Sequence, residues 1–205
     1  MLTLLTTYNR LAYTKEAVKS LLGTCELIVI DNGSTDGTIE WLKQQPLRCV
    51  FNQTNRGVAG AMNQFIELTD GEEWISKVDN DTIVEPGWWQ HLYDCAMRYH
   101  LDLVQAKHHI IKETHPGGWV GLVQGLSKLG DGCYESKYIG GSGIIMRRSK
   151  LGVLPEDGWK LGGWNRWQVD HPHVTRGFCE HTTVRLLDEH GYEQYPDYYK
   201  ETGRL

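Results

Sequence analysis

The residues able to do chemistry in this chain collect at the ends of apolar runs. Val78-Asp79-Asn80-Asp81 closes one such run. Two carboxylates one residue apart on an extended segment point the same way and attract a hard divalent cation. A cation held there would neutralise a diphosphate both on binding and on departure. Asp-Asn-Asp is equally good turn or capping chemistry, and the motif alone leaves both readings open. Three more polar stations follow apolar runs: Thr6-Thr7-Tyr8-Asn9-Arg10, Asp31-Asn32-Gly33-Ser34-Thr35-Asp36-Gly37-Thr38, and Asn55-Arg56-Gly57-Val58-Ala59-Gly60-Ala61-Met62-Asn63. Asp31 suits an acceptor for a base or ribose, or a helix-start cap. Arg56 by itself reads equally as a solvated loop charge.

The elements that position these stations alternate between two periods, the pattern of β-α-β units feeding a largely parallel sheet. Strands are predicted over Leu2 to Thr7, Glu26 to Ile30, Arg48 to Phe51, Trp74 to Val78 and Leu101 to Ala106. Helices are predicted over Thr14 to Leu22, from Thr35 or Asp36 to about Gln44, Val58 to Leu68, and Pro86 to about Tyr99. In an open α/β sheet, ligands bind beyond the carboxyl ends of the strands, so the polar stations should form one site. The second half is less regular. His115 to Gly132 reads as a loop or hairpin, Ile144 to Met146 as a strand, Asp170 to Arg176 as helical despite Pro172, and Phe178 to Leu186 as a strand.

Composition narrows the classes. The chain has 205 residues, 21 Lys+Arg against 26 Asp+Glu, and a net charge of -5, which argues against a nucleic-acid partner. Its length suits one domain, and its apolar runs are too short to span a bilayer, so no integral membrane segment is expected. Nothing in Met1 to Thr7 suggests a secretory leader. Cys25, Cys49, Cys95, Cys133 and Cys179 are scattered without C-x-x-C spacing, which fits reduced thiols in a cytoplasmic protein better than a disulfide framework or a zinc site. No G-x-x-x-x-G-K-[ST] loop and no G-x-G-x-x-G opening a helix is present, which disfavours a P-loop ATPase or a dinucleotide dehydrogenase.

Taken in order and spacing, the four stations resemble the family 2 glycosyltransferases of the GT-A fold, over most of residues 1 to 106. The resemblance implies a single GT-A domain over 1–205, Rossmann-like, with a mostly parallel central sheet flanked by helices. Residues 1–106 would form its nucleotide-sugar half and 107–205 its acceptor-binding and catalytic half. It implies that Thr6, Tyr8, Asp31 and Asp79 contact the nucleoside and that Arg10 reaches the phosphates, with Asn9, Asn63 and Asn80 in the same stations. Asn55, Arg56 and Gly57 would lie near the nucleotide or donor sugar. Asp81 would be the principal ligand of Mn2+ or Mg2+, with Asp79 and His181 as further ligands.

The second half carries a weaker echo. Gly140-Gly141-Ser142-Gly143-Ile144-Ile145-Met146-Arg147-Arg148 resembles the segment lining the donor-sugar and acceptor pocket, which implicates Gly141 and Ser142. Asp170, followed by Arg176 and Gly177, resembles the acidic motif whose aspartate is the catalytic base. Val169 stands where the family usually has glutamate, and Pro172 interrupts the motif. Asp170 could instead cap a helix, and Glu156 and Asp157 are rival bases; His171 and His173 stay unassigned. Trp159, Trp164 and Trp167 suit an acceptor platform, Trp88 and Trp89 the core, and the cluster Tyr192, Tyr195, Tyr198 and Tyr199 either closes over the site or makes an oligomer contact.

The expected activity is metal-dependent, inverting transfer of a sugar from a nucleotide-sugar donor to an acceptor hydroxyl, as of a glycan. UDP comes ahead of GDP and dTDP as the carrier. A retaining transferase, a nucleotidyltransferase and a sugar-binding module without turnover are the alternatives; the oligomeric state is open.

Overall fold

The computed structural model describes residues 1–109, 118–156, 162–188 and 191–201. Strand β1 (Leu2–Thr7) is buried along its whole length and alternates its side chains between two cores, as a strand covered on both faces must. Leu5 enters one core with Val29, Val78 and Val104, while Leu2 and Leu4 enter the other with Ile28, Ile30 and Ile75. Helix α1 (Leu11–Leu21) covers the first core with Ala17, Val18 and Leu21. After β2 (Glu26–Asp31), the short α2 (Thr38–Leu42) adds Leu42 to that face. Beyond β3 (Arg48–Phe51), α3 (Gly57–Leu68) lies on the opposite face and buries Ala59, Ala61, Met62 and Phe65. Strand β4 (Trp74–Asp79), a two-residue β5 (Thr82–Ile83) and α4 (Trp88–Tyr99) follow, and α4 returns to the first core with Trp88, Leu92, Cys95 and Ala96.

The second half is β6 (Leu103–His108), α5 (Gly118–Val123), the hairpin β7 (Ser127–Gly130) and β8 (Cys133–Glu135), β9 (Ile144–Arg147), α6 (Gly162–Asp170), the long β10 (Arg176–Leu186), α7 (Gly191–Gln194) and α8 (Pro196–Glu201). The sheet runs β3-β2-β1-β4-β9-β6-β10-β8-β7, with β5 paired to β10. Pairs β1·β2, β1·β4, β2·β3 and β6·β10 are parallel, whereas β9 lies antiparallel between β4 and β6, and β5, β7 and β8 also pair antiparallel. The sheet is therefore mixed rather than mostly parallel. The physical reason is the apolar run Ile144-Ile145-Met146, which enters between two strands that would otherwise bear a free edge.

Three other expectations are corrected. The helix placed over Asp170 to Arg176 ends at Asp170, because Pro172 breaks the ladder and Arg176 begins β10. The stretch from His115 to Gly132, read as a loop or hairpin, does enter the β7–β8 hairpin, but helix α5 precedes it and was not expected; residues 115 to 117 lie outside the described residues. Cys95 and Cys133, 38 residues apart in sequence, are joined in a disulfide with Cα atoms 6.3 Å apart, a pairing their spacing did not show. Among the described residues no helix is long and apolar enough to cross a membrane.

Candidate active site

Strand order 3-2-1-4 makes the gap between β1 and β4 the point where connections leave in opposite directions, and the carboxyl ends of strands at such a switch point form a natural crevice. Thr6 lies beside Asp79 across the β1·β4 register. The chain leaving β1 turns sharply, with Asn9 and Arg10 both in the left-handed region at φ 53° and 60°, a conformation that Asn tolerates but that is uncommon for Arg unless its surroundings hold it. The constraint is visible. Asn9 N donates to Ser34 Oγ at 2.7 Å, Thr35 N donates to Asn9 Oδ1 at 2.8 Å, and Asn80 Nδ2 donates to the Asn9 carbonyl at 3.0 Å.

That turn drives Arg10 inward, leaving it only 3% exposed. Its guanidinium meets Asp81 Oδ2 and Asp188 Oδ1, each at 3.2 Å, and donates to Asn80 Oδ1 at 2.7 Å. The Tyr198 ring lies 4.1 Å from the guanidinium carbon, within cation–π range. Burial opposes the charge, yet Asp81, Tyr198 and Asp188 outweigh it and raise the Arg10 pKa. Asp79 has its own cation. Lys77, 1% exposed and two residues earlier on the same face of β4, donates both to Asp79 and to the Gly141 carbonyl. Asp79 N donates to Ser142 Oγ at 2.9 Å, and Ser142 Oγ lies 2.8 Å from Thr82 Oγ1. The two acids thus stand at one rim, 29% and 16% exposed, each beside a buried positive charge.

Thr6 Oγ1 and Arg10 Nε are buried in this corner with no hydrogen-bond partner among the described residues. His108, at the end of β6, places Nε2 2.9 Å from the Ser142 carbonyl oxygen. Burial lowers its pKa, against the Ser142 carbonyl, Asp79 and Asp81, all of which favour its charge.

The sequence-derived residues divide clearly. Thr6, Asn9, Arg10, Asp79, Asn80, Asp81, Gly141 and Ser142 meet at the β1–β4 rim. Tyr8 joins through the C-terminal helices: its hydroxyl donates to Glu201 at 3.1 Å and its ring lies 6.2 Å from that of Tyr198. Tyr13 Oη donates to Gln194, and its ring sits edge-on to Tyr195, so Tyr195 and Tyr198 of the tyrosine cluster fold over this corner. Asp31 faces its own loop: it is buried, and its carboxylate accepts from Gly33 N, Ser34 N and Ser34 Oγ. Burial raises its pKa in spite of those bonds.

Asn55, Arg56, Gly57 and Asn63 form a neighbouring wall at the start of α3. Asn55 Oδ1 caps Gly57 N at 2.8 Å, Arg56 pairs with Glu156 at 2.9 Å, and Asn63 donates to Glu156 and to the Leu154 carbonyl, each at 3.0 Å. Hydrogen bonding from Asn63, then Arg56, lowers the Glu156 pKa and keeps it ionised. Helix α6 runs beside this wall: Gly163 leaves no room for a side chain against the Pro155 carbonyl and Ala59, and a methyl group added at Gly141 would stand 3.9 Å from the Trp164 indole.

Three assignments fail to converge with the corner. Asp170 lies at the opposite end of α6 from Trp164, about 9 Å further along the axis, 56% exposed and 4.0 Å from Arg166. The groove of about 730 Å³ beside it is lined by Gln168, Val169, Pro172 and Arg176, not by the acid pair. His181 sits with Asp131 and His91, because the strand reaches the rim only six residues later, where Leu187 N donates to the Asp81 carbonyl. Trp164 and Trp167 are buried, stacked 5.5 Å apart, with Trp164 Nε1 donating to the Ile139 carbonyl, so they are core rather than an open platform. Trp159 and Asp157 lie outside the described residues. Trp88 is fully buried, as expected of core. The reading from sequence missed Lys77, His108 and Asp188; a lysine inside the apolar run Trp-Ile-Ser-Lys-Val-Asp was the available signal.

A strand order of this kind with an acidic rim is the architecture of GT-A nucleotide-sugar transferases. Two solved structures share the fold: S. aureus TarS 1–349 (TM-score 0.66, 16% identity, covering 94% of this chain and 62% of that one) and GalNAc-T7 with UDP, GalNAc and Mn2+ (TM-score 0.69, 12% identity, 90% and 43%). TarS has also been solved with UDP and with UDP-GlcNAc. The profile of glycosyl transferase family 2 matches residues 3–152, and the chain belongs to that family. The uncharacterized glycosyltransferase YibD of Escherichia coli K12 is 32% identical over 84 residues, 39% of this chain and 24% of that protein. The matched stretches span between 24% and 41% of the curated relatives' own lengths.

Proposed function

We propose that this chain transfers a sugar from a nucleoside diphosphate, UDP foremost, to an acceptor hydroxyl with inversion at the anomeric carbon. The observation that carries the reading is the pairing of Asp79 and Asp81 with the buried cations Lys77 and Arg10 at the β1–β4 switch point. The unpartnered Thr6 Oγ1 and Arg10 Nε support a polar ligand there. UDP as carrier rests on the UDP complexes of TarS and GalNAc-T7.

The donor set fits Mn2+ or Mg2+: two partly exposed carboxylates, of which Asp81 Oδ1 carries only a 3.3 Å contact from Thr82. Asp81 would hold the ion with Asp79 beside it, and His181 takes no part. When bound, the ion supplies positive charge to the departing diphosphate. Arg10 and Asn80 fix Asp81 in place, while Lys77 and Ser142 tie the Asp79 strand end to the Gly141 segment, so that the rim is organised before the donor arrives. Glu156, kept ionised by Asn63 and Arg56 on the adjoining wall, accepts the proton of the acceptor hydroxyl; Asp170, at the far end of α6, does not.

Calorimetry with UDP, with and without Mn2+, tests the assignment. Asp81→Ala is expected to abolish the Mn2+-dependent part of binding, and an unchanged affinity would remove the metal from Asp81.

A further inference from the structure

Away from the acid rim, three cysteines from distant parts of the chain converge. Cys95 on α4, Cys133 on β8 and Cys179 on β10 are all buried, and their three sulfurs lie within 4.8 Å of one another. Two of the three are the disulfide pair and Cys179 lies beside it, so opening that disulfide would present three thiols from three separate elements at one point. A tetrahedral zinc with Zn–S of about 2.3 Å sets its sulfurs roughly 3.8 Å apart, which falls inside the 4.8 Å within which these three sulfurs lie.

The surroundings add what three thiolates lack. A cavity of about 150 Å³ borders Cys95 and Cys133 and is walled by His91, Asp94, Arg98, Asp131 and His181. His91 stands one helical turn before Cys95, on the same side of α4, and its carbonyl accepts from Cys179 Sγ at 3.7 Å. The His181 ring lies 6.5 Å from that of His91. Both imidazoles line this cavity, though neither joins the three sulfurs within 4.8 Å of one another, so either fills a fourth position only by moving toward them.

We propose that Cys95, Cys133 and Cys179, in their reduced form, bind one Zn2+ with His91 or His181 completing the tetrahedron. The disulfide between Cys95 and Cys133 is then the metal-free, oxidised form of the same cluster; a dithiol reductant supplies the two electrons and two protons that open it to two thiols, which lose their protons as zinc binds. The zinc form staples α4, the β7–β8 hairpin and β10 to one another, independently of the nucleotide site. Soft thiolate ligands select zinc over the hard ions suited to Asp79 and Asp81, so the two sites do not compete for one metal.

The test uses the whole chain expressed with zinc and purified under reductant, its metal content measured by mass spectrometry and its thiols titrated in denaturant after the reductant is removed anaerobically. One zinc per chain and five titratable thiols are expected, with Cys179→Ser losing the zinc and Cys25→Ser keeping it. Cobalt exchanged into the wild-type chain should give intense thiolate-to-metal absorption and tetrahedral ligand-field bands, a readout that stands if Cys179→Ser fails to fold. A metal-free chain with only three titratable thiols, zinc that survives in Cys179→Ser, or cobalt spectra without thiolate bands would each overturn the site.

Discussion

Asn80 is the residue on which the geometry of the acid rim turns, and replacing it with alanine gives a calculable loss. Its Oδ1 accepts from the Arg10 guanidinium at 2.7 Å, and its Nδ2 lies within 3.2 Å of Thr7 Oγ1, 3.1 Å of Thr14 Oγ1 and 3.0 Å of the Asn9 carbonyl. Nδ2 has two protons for three acceptors, so two neutral bonds count, at about 1 kcal/mol each, and the charged bond from Arg10 adds about 2 kcal/mol. The Thr7–Thr14 hydroxyl pair survives the change at 2.8 Å, and water entering the space recovers part of the loss. The expected net loss is about 3–4 kcal/mol, near 10 °C in Tm for a domain of this size. Urea unfolding followed by tryptophan fluorescence, read at constant m, measures it. A loss below about 1 kcal/mol would refute the claim that Asn80 holds the strained Asn9–Arg10 turn against β4.

Other expectations follow from the same geometry. Glu156→Gln is expected to lower kcat by about 100-fold or more, the low end of general-base catalysis, with UDP affinity retained, while Asp170→Asn keeps near-normal turnover. The opposite ranking in a donor-transfer assay would restore Asp170 as the base. Because burial lowers the His108 pKa, the unfolded chain takes up a proton first as pH falls below about 6.5, so stability drops in acid from that point down through the folded pKa. His108→Gln should flatten that acid limb in urea midpoints between about pH 7 and 5, and an unaltered slope would show that His108 does not contribute. Gly163→Ala places a methyl group against the Pro155 carbonyl oxygen and 2.8 Å from Ala59 Cβ. A destabilisation of about 2 kcal/mol or more is expected by thermal melt, and a neutral change would mean that α6 does not sit tightly on α3.

The first half of the fold was legible because its signals are local. Leu2–Thr7 and Arg48–Phe51 form strands with the predicted bounds, and the polar stations fall at the ends of β1, β2 and β4 because buried β-branched runs stop where turn residues begin. The second half depended on long-range pairing that no local period carries. Ile144 to Met146 read as a strand, yet nothing in its neighbours shows that it enters antiparallel between β4 and β6. The same gap explains the site. Asp79 and Asp81 could be found from spacing, whereas the cations that offset them come from a left-handed turn at Arg10 and a lysine hidden within a strand. Asp170 was singled out by an Arg-Gly spacing downstream, a signal that does not say where its exposed end of α6 lies relative to the rim. Asp31 matches neither of its two readings in full: its carboxylate closes its own turn through Gly33 and Ser34, while the helix that follows starts only at Thr38.

The antiparallel insertion of β9 means that the molecule cannot be cut where its sequence appears to divide. A fragment stopping near residue 106 would leave the β4 and β6 ladders unpaired where β9 joins them and would uncover the apolar groups that Ile144, Ile145 and Met146 meet in the two cores. Bare ladders of that kind recruit other chains. The first half is thus stitched shut by residues that follow it by some forty positions, and its sheet is closed only where the later chain has folded back.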